Sequence, residues 1–292
     1  MSLNEELRVA AILPTNSPFR PAIEAHVKSL GGQLDDFDEN FSWDDDQEEK
    51  IEKYSMVLVD WRVPFSHRFI ETVKVPRRTS RTPVIGIYAA EQDPEKFIPL
   101  TIVPEEEVQE SSTPDSLVER AERLLALQRT RPRHFLQDMI LRLGTTVDEV
   151  EKAGELFDRL LEELGYEVHD QVVMGHSFRE ALGNAAEHGN GHDKGKMLRI
   201  VYMVDYEKMV VIVTDEGAGF DHMAYIQEKE HESAYDTTTG RGDDVRPGGL
   251  GYHIMKKACD AIRYNKSGNT IFLMKYLPGF SPAEDENAEA DV

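Results

Sequence analysis

The chain has 292 residues, with 55 acidic side chains against 33 basic ones, a formal net charge of −22 and a pI near 4.8. That balance repels a phosphate backbone, so direct nucleic-acid binding is not expected, and the single cysteine, Cys259, excludes an internal disulfide and reads as core packing. The length suits two ordinary cores; no apolar run approaches the roughly 20 residues of a membrane span and the start lacks a signal-peptide pattern, so a cytoplasmic protein without membrane association is expected.

In chain order, Arg8–Leu13, Met56–Asp60 and Pro83–Tyr88 are short apolar runs separated by helical or polar stretches, the alternation of a parallel sheet flanked by helices. A first helix is expected from Pro18 to Leu30, closed by Gly31 and Gly32. The acidic stretch from Asp35 to Glu49 reads as a solvated loop or helix face. Leu100–Val103 is a candidate fifth strand running into Pro104 and three glutamates, and Asp115–Leu127 a last helix ending in the basic joint Arg129–Arg133.

The second half carries three segments that suit one nucleotide site. Around Glu180, Asn184 and His188 the apolar residues recur at nearly the helical period, which places these three polar groups at i, i+4 and i+8 on one face. Met209–Val213 is short and β-branched, a buried strand delivering Asp215 to its end, where Gly217 and Gly219 follow and let a ligand approach the main chain. Gly248, Gly249, Leu250 and Gly251 then open a helix whose apolar residues Ile254, Met255, Ala258 and Ile262 have helical spacing. Free N–H groups at such a helix start favour an anion, as a nucleotide's phosphates require.

In order and spacing these segments resemble the N, G1 and G2 boxes of the GHKL ATPase superfamily, and within it most resemble the anti-sigma-factor serine kinases. The likeness extends to Gly268–Lys275 as a final strand, Phe135–Leu143 as an opening strand and Val147–Gly165 as a first helix, about half the chain. It implies a Bergerat-type α/β sandwich that binds ATP and Mg²⁺. Asn184 would be the metal ligand, Glu180 the general base, and Asp215 the reader of adenine. Gly217 and Gly219 would shape the adenine pocket, while Gly249, Leu250 and Gly251 would wrap the phosphates beneath a lid formed by the stretch between Phe220 and Gly248. Arg241 or Arg246 would reach the γ-phosphate. His188 is expected to serve a structural role, and His134, His169 and His176 to be linker or surface groups.

Val57–Pro64 resembles the phosphoacceptor strand and turn of response-regulator receiver domains, with Asp60 as the possible phosphoacceptor. The pattern departs at three places. Pro14-Thr15-Asn16 stands where receivers hold an acidic metal-binding pair, the late lysine is missing, and Tyr88 replaces a Ser or Thr. A pseudo-receiver, serving for docking or dimerisation, is therefore expected.

The expected organisation is a two-domain α/β chain: a flavodoxin-like, receiver-like parallel sheet over 1–129, a GHKL domain over 130–280, and an acidic disordered tail over 281–292. The resemblance implies a serine/threonine kinase, working as a homodimer, that phosphorylates a small anti-sigma-antagonist-like protein and sequesters a sigma factor. The alternatives are a catalytically weak ATP-binding partner switch and a histidine-kinase-like ATPase domain.

Overall fold

The computed structural model describes residues 7–41, 54–77, 79–89, 100–130, 135–228 and 250–280. Their strands are β1 (Arg8–Ile12), β2 (Gln33–Phe37), β3 (Met56–Asp60), β4 (Val84–Tyr88), β5 (Leu100–Ile102), β6 (Glu106–Gln109), β7 (Gln137–Leu143), β8 (Leu198–Val204), β9 (Lys208–Thr214), β10 (Ala261–Tyr264) and β11 (Thr270–Tyr276).

The first sheet has the order β2-β1-β3-β4-β6 with every neighbouring pair parallel. In sheet positions this is 2-1-3-4-5, the flavodoxin-like doubly wound order. Because side chains alternate across a strand, the apolar runs seen in the sequence feed both faces. Val9, Ala11, Leu58 and Ile85 pack with Ile23 and Val27 of α1 (Arg20–Ser29) and Leu117 and Ala121 of α3 (Pro114–Thr130). Ala10, Ile12, Val57 and Val59 face the opposite way, toward Phe69, Ile70 and Val73 of α2 (Ser66–Lys74).

The second sheet, in the order β10-β11-β9-β8-β7-β5, is antiparallel throughout. Its inward residues, among them Leu141, Ile200, Tyr202 and Val211, are covered by α4 (Val147–Glu163), α5 (Val168–Asn184) and α6 (Leu250–Ala258), through Phe157, Phe178 and Met255. A capping box starts α4: Thr146 and Glu149 each bind the other's backbone N–H. Gly165, at φ +74°, ends it in the left-handed region, as its position in the sequence suggests.

Two expectations are corrected. Leu100–Val103 is not the fifth strand of the first sheet: as β5 it joins the second, antiparallel to β7, crossing the expected boundary near residue 130. The fifth place goes to β6, built from the glutamates after Pro104. Only Val108 is buried among its residues, while Glu106 pairs with Arg120 and Arg123, and Glu107 with Arg142, so no apolar pattern marks it as a strand. Ile262 does not continue the last helix. That helix stops at Ala258, and Ile262 lies in β10, paired with Leu273.

The two halves meet through more than β5. Gln137, fully buried at the start of β7, donates to the carbonyls of Lys74 (3.0 Å) and Val75 (2.7 Å) at the end of α2. Arg159 on α4 pairs with Glu71 at 2.6 Å, and Arg142 on β7 with Glu107 at 3.1 Å. Lys74 itself, 1% exposed, is neutralised by Glu105 at 2.5 Å and bonded to the Ser80 carbonyl at 3.2 Å. One apolar cluster runs from Val59 and Phe69 through Ile102 to Leu141 and Phe157.

Candidate functional site

The helix carrying Glu180 and Asn184 does not run on to His188 as a regular α-helix. It turns into a π-helical segment at Ala185–Gly189, a form that recurs at functional sites because the wider turn re-aims side chains. Glu180 and Asn184 remain one turn apart on α5 and touch: Asn184 Nδ2 donates to Glu180 Oε1 at 3.2 Å. His188 is exposed and borders the cavity described below. His169 and His176 are surface residues, as expected.

Asp215 follows β9, 9% exposed, and is held by hydrogen bonds with Asn269 and Gly217. Its N–H donates to the Asn269 carbonyl (3.1 Å), and Asn269 Nδ2 returns a bond to the Asp215 carbonyl (3.3 Å). Gly217 N–H donates to Asp215 Oδ1 at 2.8 Å. Burial pushes the Asp215 carboxyl above the usual aspartate range, with the Gly217 N–H and the Lys196 charge pulling the other way.

Glycines make this packing possible. A Cβ on Gly217 would lie 2.2 Å from the Gly189 carbonyl oxygen, and one on Gly189 would lie 2.3 Å from Asp215 Cγ. Gly219, at φ +77°, leaves 1.9 Å between its hypothetical Cβ and the Ser267 carbonyl, so both its dihedral and its contacts demand glycine.

These residues border a cavity of about 380 Å³, lined by Asn184, His188, Asp215 and Gly219 together with Phe220 and Tyr264. Its volume lies in the range of small-molecule sites. Phe220 meets Tyr264 and Tyr225 edge to face, with centroids 5.5 and 5.6 Å away, forming an aromatic part of the cavity wall. Glu180 stands behind Asn184, facing the start of α6, where a Cβ on Gly251 would lie 1.9 Å from Glu180 Oε1. Asn184 has its Nδ2 turned to Glu180, which leaves the carboxamide oxygen as the group suited to a hard cation such as Mg²⁺.

Gly248, Gly249, Arg241, Arg246, most of the lid, His134 and the acidic tail lie outside the described residues, and of Leu250 only the backbone is described. Gly251 is buried at the first turn of α6. Cys259 is buried as expected, its sulfur 3.9 Å from that of Met174, and desolvation pushes its thiol up to about 12.

Gly189, Asn190, Phe220 and Tyr264 were not singled out in the sequence. Gly189 and Asn190 directly follow His188, and Phe220 directly follows Gly219, so adjacency to two motifs was the available signal. Tyr264 had none: it reaches the cavity because β10 lies beside β11.

Asp60 lies at the carboxyl end of β3 and is fully buried. Arg62 wraps it with Nε to Oδ1 at 2.9 Å and Nη2 to Oδ2 at 2.6 Å, and holds Glu110 with Nη1 at 2.7 Å. After β1, the Arg20 guanidinium donates to the carbonyls of Leu13 (2.9 Å) and Pro14 (3.1 Å) and pairs with Asp36. Arginines thus bind acceptors at the carboxyl ends of both β1 and β3.

Residues 143–275 match the family model described as a histidine kinase-like ATPase domain. The chain is 32% identical over 117 residues to the serine-protein kinase RsbW of Bacillus subtilis, a match covering 40% of this chain and 71% of the relative. The RsbW of Bacillus velezensis is 30% identical over 118 residues, with the same shares covered. Among solved structures, the receiver domain of the Francisella response regulator 1452 aligns with 43% of this chain and 100% of its own length at 16% identity, with a TM-score of 0.31. The flavodoxin-like assignment therefore rests on strand order rather than on that alignment. Among the described residues no helix is long and apolar enough to cross a membrane. Through its second half the chain carries a histidine kinase-like ATPase domain and belongs to the family of the serine-protein kinase RsbW.

Proposed function

We propose that this chain is an ATP-dependent serine/threonine protein kinase of the anti-sigma-factor type, acting in the cytoplasm as a homodimer on a small antagonist protein and sequestering a sigma factor. The observation that carries the reading is the Glu180–Asn184 contact beside a cavity that Asn184 and Asp215 both line. Phosphoryl transfer depends mainly on positioning and charge neutralisation, and these groups divide the work. Asp215 accepts a hydrogen bond from the adenine amine. Asn184 holds Mg²⁺ by its carboxamide oxygen, and the bound cation offsets phosphate charge. Glu180 receives the proton of the attacking serine or threonine hydroxyl. Gly249, Leu250 and Gly251 surround the phosphates with backbone N–H groups, and Arg241 or Arg246 contacts the γ-phosphate. Residues 1–129 serve as a pseudo-receiver that docks a partner or sets the dimer, with Asp60 unphosphorylated, in keeping with its burial under Arg62.

A second reading, an ATP-binding partner switch without transfer, draws on the packing of Gly251 against the Glu180 carboxylate, which covers the proposed base in this arrangement. Incubation of the purified chain with γ-labelled ATP, Mg²⁺ and a lysate of its own organism separates the readings. Acid-stable label on a small protein supports the serine/threonine kinase. ATP binding without label favours the switch, and acid-labile label points to histidine-kinase-like chemistry.

A further inference from the structure

The π-helical turn after Asn184 ends on Asn190, a residue that is 3% exposed and uses each of its polar groups. Its N–H donates to the Ala185 carbonyl at 2.8 Å, closing the π turn. Its Oδ1 accepts the Glu216 N–H at 2.8 Å, and its Nδ2 donates to the Met197 carbonyl at 3.1 Å. One buried carboxamide therefore ties the segment carrying Asn184 and His188 to the turn carrying Asp215, across 26 positions of sequence. Gly189 brings the two segments within the contact distances given above.

We propose that Asn190 is a positioning and specificity-determining residue of the nucleotide site: by holding the Glu216 N–H it fixes the rotation of the Asp215 carboxylate and so the preference for adenine over guanine. The inference rests on the ATP-site reading above. The N–H groups of Asp215, Glu216 and Gly217 are bound by Asn269, Asn190 and Asp215 itself, and of these acceptors Asn190 alone comes from the Asn184 side of the cavity. Adenine presents a donor where guanine presents a carbonyl acceptor, so a carboxylate held in one orientation accepts from the first and repels the second. Releasing the Glu216 N–H lets the turn and its carboxylate rotate or take up water, which weakens the adenine bond and relieves the guanine clash together.

ATP and GTP dissociation constants, measured by calorimetry on the full chain and on Asn190→Ala, Asn190→Asp and Thr145→Ala, test the assignment. Asn190→Ala should lower the GTP/ATP ratio of dissociation constants by about tenfold, the worth of one buried hydrogen bond. Asn190→Asp keeps an acceptor for Glu216 and should keep most of the preference even if it lowers stability. Thr145 anchors the same segment from its far side, its Oγ1 donating to the Asp193 carbonyl at 3.1 Å, and its removal should leave the ratio unchanged. A ratio unchanged in Asn190→Ala, or lowered equally by Thr145→Ala, overturns the role of Asn190. If Asn190→Ala fails to fold, a lost preference in Asn190→Asp does the same. A wild-type chain that binds neither nucleotide overturns the ATP-site reading itself.

Discussion

Arg62 and Asp60 form a closed pair at the carboxyl end of β3: the guanidinium reaches both carboxylate oxygens, and the Arg62 N–H donates to Oδ1 at 3.0 Å. The position that resembles a receiver phosphoacceptor is thus already neutralised by a residue two places along the chain. A buried carboxylate with a two-pronged arginine has little need of a metal and no open approach for a phosphodonor.

Removing the cation should therefore be costly. Arg62→Ala leaves the Asp60 charge buried, and because the arginine is itself one-third exposed the expected loss is about 2–3 kcal/mol, at the lower end for broken buried pairs. Urea unfolding of Arg62→Ala and of the double variant with Asp60→Asn measures it; the double variant should recover part of the loss. Acetyl phosphate should leave the wild-type chain unmodified at Asp60, as read by intact-mass spectrometry.

Glu180→Gln keeps the size of the side chain and an acceptor for Asn184 while removing the proton acceptor. Phosphotransfer should fall by about 10²–10⁴-fold, the usual worth of a general base, with MgATP affinity held within about threefold. Equal loss of affinity and transfer would assign Glu180 to binding instead.

Asp215→Asn should weaken ATP binding by about tenfold or more, because the amide offers a donor where the adenine amine needs an acceptor. The wild-type carboxyl is raised by burial, so it takes up a proton at higher pH than an exposed aspartate. ATP affinity that depends on the carboxylate should accordingly begin to fall on acidification above the ordinary aspartate range, and Asp215→Asn should lose that part of the pH dependence. Calorimetry from neutral to mildly acid pH follows both.

His67 packs against Trp61 with the rings tilted by 35° and their centroids 4.9 Å apart, and desolvation lowers its pKa, with Glu71 opposing. A folded imidazole that binds protons less readily than the unfolded one stabilises the fold above the unfolded value of about 6.5, and that contribution is lost as pH falls through it toward the lowered folded value. Urea midpoints of wild type and His67→Gln between pH 8 and 5 should differ in slope, with the variant less sensitive to acid.

Gln137→Ala removes the donor shared by the Lys74 and Val75 carbonyls at the junction of the halves. A loss of about 2–3 kcal/mol is expected from two buried acceptors left unpaired, and limited proteolysis should become faster at the junction. An unchanged cleavage rate would show that β5 and the apolar cluster hold the halves together without it.

Local chemistry determined much of this protein from sequence alone. Apolar runs of β-branched residues marked β1, β3, β4 and β9, the Thr146–Glu149 spacing is that of a capping box, and Asp215 with its following glycines was recognisable because strand ends and left-handed turns are encoded by neighbours in the chain. What only the tertiary structure decided depends on partners far apart in sequence. The destination of Leu100–Ile102 was set by the free edge of β7, since a three-residue apolar strand carries no information about which sheet it joins. The glutamates of β6 became a strand because Arg120, Arg123 and Arg142 offset their charge, Tyr264 reached the cavity through the pairing of β10 with β11, and Asn190 reached the Asp215 turn through a hydrogen bond that no local periodicity records.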